Sequence, residues 1–250
     1  MTNNYRLANG FVDIHTHILP AVDDGPQTLD ASVCILRVAA ASGTSVMAAT
    51  THGGVKALWP DVGHLLKLCQ NLNEFVERAG LSIKIVPGME NVLDLNPPEQ
   101  FDRGNALTIN NSGYILVELP HSALPIYWED VLFKLQLKGL RPIIAHAERR
   151  QQLQEKPELL TGPVSRGVLA QVTAGSPVGS FGSKAKKAAQ VLIKRGLVHV
   201  VASDTHRPEG PRGPDLRKGF DELKSLVGEQ SAAKMMIEMP AAILENSRVS

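Results

Sequence analysis

Seven short apolar runs, spaced about 30 residues apart and separated by helical stretches, constrain this chain more than any other feature. They cover residues 11–14, 45–50, 82–87, 114–118, 142–146, 168–173 and 198–203. Most are continuous rather than alternating in polarity, the pattern of parallel strands buried on both faces. Between them, residues 28–43 read as a helix with Thr28 as N-cap, Leu29, Val33, Leu36 and Ala40 on one face, and Gly43 as the stop. Residues 61–80 repeat the scheme with Leu65, Leu68, Leu72, Phe75 and Val76 before Gly80, as do residues 181–196. About seven such units predict an α/β fold, a βα barrel, closed or distorted, with an open doubly wound sheet as the alternative. No linker divides residues 1–250, which read as one domain. Residues 96–111, with Pro97 and Pro98, read as an irregular loop, and 229–245 as a helical C-terminal closure.

Composition limits the partners. With 26 Lys+Arg against 25 Asp+Glu the formal charge is +1, so no basic excess points to nucleic acid. No apolar run nears the ~18 residues of a membrane helix, and the first ten residues lack the basic-then-apolar pattern of a signal peptide. Cys34 and Cys69 fall in helical segments outside any CxxC pair. A reduced, cytoplasmic protein without membrane insertion is the expectation, and the oligomeric state stays open.

The histidines carry the chemistry. Of eight, His15 and His17 close the first run as DIHTH, His52 follows the second, His146 ends the fifth, and His206 follows Asp204 in SDTH after the seventh. Glu90 lies just past the third run and Glu118 ends the fourth, while Asp24 stands in the loop after the first. In a βα barrel the strand C-termini converge on one rim, so these side chains aim at one place. Residues i and i+2 of a strand share a face, which lets both imidazoles of HxH reach one cation. Five imidazoles and up to four carboxylates exceed the needs of one ion, and nitrogen and oxygen donors without thiolate suit Mn²⁺, Fe or Zn²⁺. His64 (mid-helix), His121 and His199 are better read as packing or rim residues.

Arg149, three residues after His146, and Arg212, in the loop after SDTH, suit a phosphate, since planar guanidinium holds two oxygens at once. Arg150 and Arg207 read as solvated surface charge. Cysteine-phosphatase chemistry is excluded, because Ala40 and Phe75 stand where an arginine six residues after Cys34 or Cys69 is required. GSPVGSFGSK lacks the GK[ST] ending of a phosphate loop, and no GxSxG elbow appears.

DIHTHILPAVDDGPQTLDAS, VPGMEN, ILVELP, IIAHAER, QVTAGSPVGSFG and VASDTHRPEGPRGPDL together resemble, in order, the motifs of the PHP (polymerase and histidinol phosphatase) superfamily. The closer resemblance, over residues 11–246, is to its bacterial manganese-dependent tyrosine phosphatases, encoded with capsular and exopolysaccharide genes. It implies an α/β fold, a distorted seven-stranded (β/α)7 TIM-like barrel, with three metal ions at its C-terminal rim, Mn²⁺ foremost, held by His15, His17, Asp24, His52, Glu90, Glu118, His146, Asp204 and His206, and with Arg149 and Arg212 binding phosphate. It further implies a phosphotyrosyl protein as substrate, a cognate bacterial tyrosine kinase among the partners, and a metal-activated hydroxide as nucleophile. Asp204, His206 and Glu118 are the rim residues able to protonate the leaving phenolate. The sequence departs from the family pattern at Thr51-His52-Gly53-Gly54, where proline usually precedes the histidine, and at Ala147, where proline usually follows. Trp59 could supply an aromatic wall there or pack the following helix. The rival functions are a small-molecule phosphatase of the histidinol-phosphate type, an amidohydrolase, and a non-catalytic metal-bound interaction module. The second is disfavoured because Glu118 stands where that class carries a carboxylated lysine.

Overall fold

The computed structural model describes residues 10–54, 59–94, 97–121 and 123–247. Nine parallel strands form two hydrogen-bonded sets, β1 (Phe11–Thr16), β2 (Thr44–Ala49) and β4 (Lys84–Pro87) in one, and β3 (His52–Gly53), β5 (Glu90–Val92), β6 (Tyr114–Glu118), β7 (Arg141–Ile144), β8 (Leu169–Thr173) and β9 (Val200–Ala202) in the other. The sets are one wall. The chain passes from β2 into β3 and from β4 into β5 after two-residue breaks, and β3 pairs with β5 as β2 pairs with β4. On the far side β9 returns to β1 through a Thr16–Thr205 bridge, with Asp204 N–H donating to His15 O at 2.9 Å and His17 N–H to Thr205 O at 2.8 Å. The result is a closed, distorted barrel of seven strand units, two of them broken near their C-terminal ends.

Three apolar bodies hold it. Inside lie Val12, Ile14, Val46, Ala48, Leu116 and Ile143, joined by Met239, Ile243 and Leu244 of the C-terminal closure. That closure is helical, as its sequence predicts, and includes a π-helical turn at Lys234–Glu238. Outside, the helices Leu29–Ala41 and Val62–Arg78 cover β2 and β4 through Ile35, Leu36, Leu65 and Leu72. The helices Trp128–Leu137 and Gly182–Lys194 cover the opposite wall through Leu132, Leu135, Ala189 and Leu192. Thr28 caps its helix by accepting from Ala31 N–H at 3.2 Å, and Asp61 does the same for His64 N–H at 2.6 Å. His64 therefore lies in a first turn rather than mid-helix. Leu29, expected on the buried face, is 48% exposed at the first position of the helix, and burial begins at Ser32 and Val33. The stretch expected to be an irregular loop folds as a short helix, Pro97–Asp102, and a 3-10 turn, Ile109–Asn111, with Asn96 outside the described residues. Proline at a helix start loses no hydrogen bond, which is why Pro97 and Pro98 are tolerated there.

No helix among the described residues is long and apolar enough to cross a membrane.

Candidate metal centre

Regular strand alternation delivers only part of the site. In β6, Leu116 faces the interior and so does Glu118 two residues on. In β1, Val12 and Ile14 are the interior residues, so simple alternation would send His15 and His17 outward. The pairing with β2 corrects this: Asp13 pairs with Met47 and Thr16 with Ala49, so β1 spends one more residue than its partner. That bulge re-aims the two imidazoles into the barrel. At the end of β7, His146 takes a left-handed conformation (φ 30°), and beyond β9 Asp204 does too (φ 53°). Non-glycine residues seldom adopt such angles, and here each turns a side chain into the site.

All nine candidate ligands meet there. Fully buried Glu90 is the hub: His15 Nε2 and His17 Nε2 each stand 3.3 Å from its Oε2, His52 Nδ1 stands 3.1 Å from the same oxygen, and His146 Nε2 stands 2.8 Å from Oε1. Asp204 Oδ1 lies 3.5 Å from His15 and 3.6 Å from His17. Asp24 Oδ1 lies 3.1 Å from His206 Nε2 and 3.5 Å from His52 Nε2. Glu118 reaches His52 at 3.6 Å and His146 at 3.7 Å. Ligand atoms within 4.8 Å of one another form four overlapping groups: His17, Asp24, His52 and His206; His15, Glu90 and His146; His15, His17 and Asp204; and His52, Glu90 and Glu118.

The hydrogen bonds show what this donor set fits. His17 Nδ1 donates to Asp23 Oδ2 at 2.7 Å, His15 Nδ1 to Gln171 Oε1 at 3.0 Å, and His206 Nδ1 to the Asp204 carbonyl at 2.9 Å. The neutral rings of His15 and His17 then present their Nε2 lone pairs inward, the arrangement found behind metal-ligating histidines, while His206 Nε2 also meets Arg212 Nη2. The Nε2 atoms of His15 and His17 face each other at 3.3 Å, where two lone pairs repel unless a cation or proton lies between them. Both Glu90 oxygens, although crowded by nitrogens, have no hydrogen-bond partner among the described residues. Nitrogens around carboxylate oxygens without hydrogen-bond geometry suit a shared cation. The residues fit a cluster of divalent ions.

The electrostatics agree. Burial opposes the imidazolium of His17, yet the Asp23 and Glu90 carboxylates overcome it and lift its pKa to about 9. Burial likewise opposes His52, and Asp24 and Glu90 raise it to about 11. Glu90 is held well below the usual carboxylate range by His15 and His146 despite its burial, whereas burial and the Glu90 charge push Glu118 up. The anions thus hold protons on imidazoles at the positions where a cation would bind.

Both predicted arginines border the cluster. Arg149 pairs with Asp204 and stacks on Phe181, its guanidinium carbon 4.7 Å from the ring centre. Arg212 contacts His206 and donates to Asp24 Oδ2 at 3.0 Å. Arg207 is exposed as expected. Arg150 is not the surface charge expected of it. It is buried, with Nη1 donating to Leu119 O at 2.7 Å and Nη2 to His146 Nδ1 at 2.8 Å, because the turn Ala147–Arg149 points it back under β7. His199 accepts from Ala170 N–H within the wall, and His64 and His121 remain outside the cluster.

Asp23, Gln171 and Glu148 were not singled out by sequence. Asp23 sits beside the more obvious Asp24, yet it holds His17, Thr51 Oγ1 (2.5 Å) and His52 N–H (3.1 Å). Thr51, standing where the family pattern has proline, thus supplies a hydroxyl to this carboxylate. Gln171 also accepts from His146 N–H at 2.8 Å, and Glu148 ties the turn before Arg149 to Thr173 N–H and Ser176 Oγ. The glycines after His52 have a packing reason: a Cβ on Gly53 would strike Met89, and one on Gly54 (φ 88°) would come 2.9 Å from the Trp59 ring. Trp59 therefore lies over the loop beside His52.

A family model for capsular polysaccharide synthesis proteins, CpsB/CapC, matches residues 11–245. The chain belongs to this family. Its CpsB/CapC relatives include the tyrosine-protein phosphatase YwqE of Bacillus subtilis, 34% identical over 195 residues, 78% of this chain and 77% of the relative. The putative tyrosine-protein phosphatase CapC of Staphylococcus aureus is 32% identical over 239 residues, 96% and 93% of the two chains. A crystal structure from work on YwqE and Streptococcus pneumoniae CpsB, described as unique metal-dependent tyrosine phosphatases, superposes with a TM-score of 0.91 at 30% identity, covering 96% of both chains. The Lactococcus lactis histidinol phosphate phosphatase matches at a TM-score of 0.56 and 13% identity, covering 87% of this CpsB/CapC chain and 94% of its own, and so shares the fold.

Proposed function

We propose that residues 1–250 act as one metal-dependent phosphatase domain that hydrolyses phosphotyrosyl proteins and thereby controls capsular or exopolysaccharide synthesis. The observation that carries this reading is the hub at Glu90, ringed by four imidazole nitrogens at 2.8–3.3 Å with two arginines at its border. Family membership supplies the substrate class, since the relatives are described as tyrosine phosphatases.

The ligand assignment is His15, His17, Asp24, His52, Glu90, Glu118, His146, Asp204 and His206, for two or three ions. An imidazole nitrogen has one lone pair, so groups that share His15 or His17 compete for it. The groups His15–Glu90–His146 and His17–Asp24–His52–His206 share no residue and can fill independently. A third ion would be held by the carboxylates these two groups leave over, Glu118 and Asp204. Mixed nitrogen and oxygen donors suit Mn²⁺, with Fe or Zn²⁺ as the competing metals. When bound, such ions supply Lewis acidity, lowering the pKa of water and neutralising phosphoryl charge.

The chain's own residues do the rest. Arg149 and Arg212 swing their planar forks from Asp204 and Asp24 to the phosphoryl oxygens and hold the charge that grows there in the transition state. Asp23 and Gln171 keep His17 and His15 in one tautomer. Asp204, His206 and Glu118 are close enough to the cluster to pass a proton to the leaving phenolate, and of the two carboxylates Glu118, raised by burial and the Glu90 charge, holds a proton to higher pH than Asp204, which neighbouring imidazoles hold low. The cytoplasm is the compartment proposed, and a bacterial tyrosine kinase the source of substrate.

The test is turnover of p-nitrophenyl phosphate, a phosphotyrosyl peptide and histidinol phosphate by Mn²⁺-loaded protein, with and without chelator. The expected result is chelator-sensitive hydrolysis that favours the peptide over histidinol phosphate. Preference for histidinol phosphate would reassign the chain to a small-molecule phosphatase.

A further inference from the structure

The rim has a basic flank that the phosphate chemistry does not use. The helix Gly182–Lys194 and the following Arg195 carry Lys184, Lys186, Lys187, Lys194 and Arg195 and no acidic residue, in a chain whose charges as a whole nearly balance. Lys184, Lys187, Val191 and Arg195 recur at three- and four-residue steps, so they share one stripe of the helix. That stripe lines a groove of about 420 Å³ whose opposite wall includes Gln151 and Gln154. Glu155 is the single acid in its lining, and it already accepts from Gln151 Nε2 at 3.2 Å. Among the described residues, Lys184, Lys187 and Arg195 form no ion pair within 4.0 Å.

The groove adjoins the site. Gln151 follows Arg149 by two residues, and Lys184 follows Phe181 by three, while Phe181 and Arg149 are stacked on each other. The helix also packs against the turn Ala147–Arg149 and the helix Gln151–Glu155. From Lys184 to Arg195 the stripe runs about 16 Å at ~1.5 Å per residue. An extended peptide rises ~3.3 Å per residue, so about five residues fit along it.

We propose that this groove docks an acidic segment of the substrate chain next to its phosphotyrosine, a role that rests on the phosphotyrosyl reading above. Three unpaired cations along a concave wall the length of a short extended segment complement carboxylates spaced along a peptide. The enclosure between two helices suits a single strand of chain rather than a duplex or a flat lipid surface. Binding energy collected there would draw the phosphotyrosyl group toward Arg149 without touching the metal cluster.

The experiment uses metal-loaded full chain and K184A/K187A/R195A. The substrates are p-nitrophenyl phosphate and phosphotyrosyl peptides with five-residue flanks, acidic (on either side, in separate peptides) or amide-bearing. The expected result is an acidic-flank preference of about tenfold in kcat/KM, mostly through KM, as several weak exposed charge contacts would give. The triple variant should lose that preference while its p-nitrophenyl phosphate turnover stays unchanged. In the parent, the preference should shrink near 0.5 M salt, where screening reaches within ~5 Å. Equal turnover of both peptide classes by the parent overturns the docking role and leaves the phosphotyrosyl reading intact. Hydrolysis of histidinol phosphate with neither peptide cleaved overturns that reading and the docking role with it. Absence of an acidic preference together with variant-sensitive sedimentation on phosphatidylglycerol vesicles overturns it as well, and assigns the groove to a membrane surface.

Discussion

Two flanks of the same rim hold their imidazoles in opposite ways. On the β1/β9 side, His15, His17 and His206 each give the Nδ1 proton to an oxygen, from Gln171, Asp23 and the Asp204 backbone. The Nε2 atoms of His15 and His17 face the centre, while that of His206 accepts from Arg212 Nη2 at the border. On the β7 side, His146 Nδ1 instead receives a donor, Arg150 Nη2 at 2.8 Å. Its ring proton is left on Nε2, facing Glu90, and burial lowers its pKa to about 4, so it stays singly protonated near neutrality. The first flank is preorganised for a cation. The second must give up the Arg150 hydrogen bond and move its ring proton to Nδ1 before His146 can ligate through Nε2.

Glu90 serves both flanks, so its loss should have the largest effect. Glu90→Gln removes the charge that four imidazoles share while nearly keeping the shape. Turnover should fall on the order of 10³-fold, with clear loss of bound metal by elemental analysis, as expected where a metal generates the nucleophile. Near-parental activity would remove Glu90 from the ligand set.

Asp23→Ala breaks the β1 flank, together with the bonds from Thr51 Oγ1 and His52 N–H, and leaves the β7 flank intact. With no acceptor for its Nδ1 proton, the His17 ring can turn or change tautomer, and metal affinity should fall about 10–100-fold. Competition against a chelator of known affinity measures this. Next in size is Arg149→Ala, which should cost roughly 1.5–3 kcal/mol in kcat/KM, the worth of a charge-assisted contact, without changing metal content. Lysine should rescue poorly, because it keeps the charge and loses the planar fork. Loss of metal in Arg149→Ala would show that the guanidinium builds the site rather than binding phosphate.

How much of this contrast is legible in the sequence follows from local geometry. Glu118 and its strand obey simple alternation, and the barrel, its helices and the gathering of candidate ligands at the strand ends follow from apolar runs and spacing. The β1 bulge does not: DIHTH gives the same letters whether or not one extra residue is absorbed between Asp13 and Thr16. The left-handed turns at His146 and Asp204 carry no glycine to announce them. The short strands at His52–Gly53 and Glu90–Val92 are too brief for any periodicity to register. Asp23 and Arg150 were hidden for another reason. Each is adjacent to a residue of the same type, and only the direction of the chain decides which one turns inward.

The contrast also has a pH signature. Without metal, His17 has its folded pKa raised from 6.5 to about 9 by Asp23 and Glu90. A raised pKa contributes stability that is complete below pH 6.5 and is lost as pH rises through about 9. Metal binding runs the other way, since cations compete with these protons. The difference in Tm between metal-loaded and chelated protein should therefore widen from pH 6.5 to 9. A constant gap over that range would mean that His17 carries no proton in the metal-free protein.

Arg150→Met is the smallest and sharpest test of the asymmetry. Methionine keeps the aliphatic stem in its buried slot but removes both donors. Leu119 O then loses the 2.7 Å bond from Nη1, and Glu118 loses a cation 3.6 Å away. An unsatisfied buried carbonyl costs about 1–3 kcal/mol, to be seen as a lower Tm. Metal retention should behave differently. With Nη2 gone, His146 Nδ1 is free to take the ring proton, and Nε2 can turn its lone pair toward Glu90. Affinity should therefore remain within about threefold of the parent or rise, in contrast to the 10–100-fold loss expected of Asp23→Ala. If both variants lose metal alike, Arg150 orients His146 for ligation just as Asp23 orients His17, and the two flanks work by one principle rather than two.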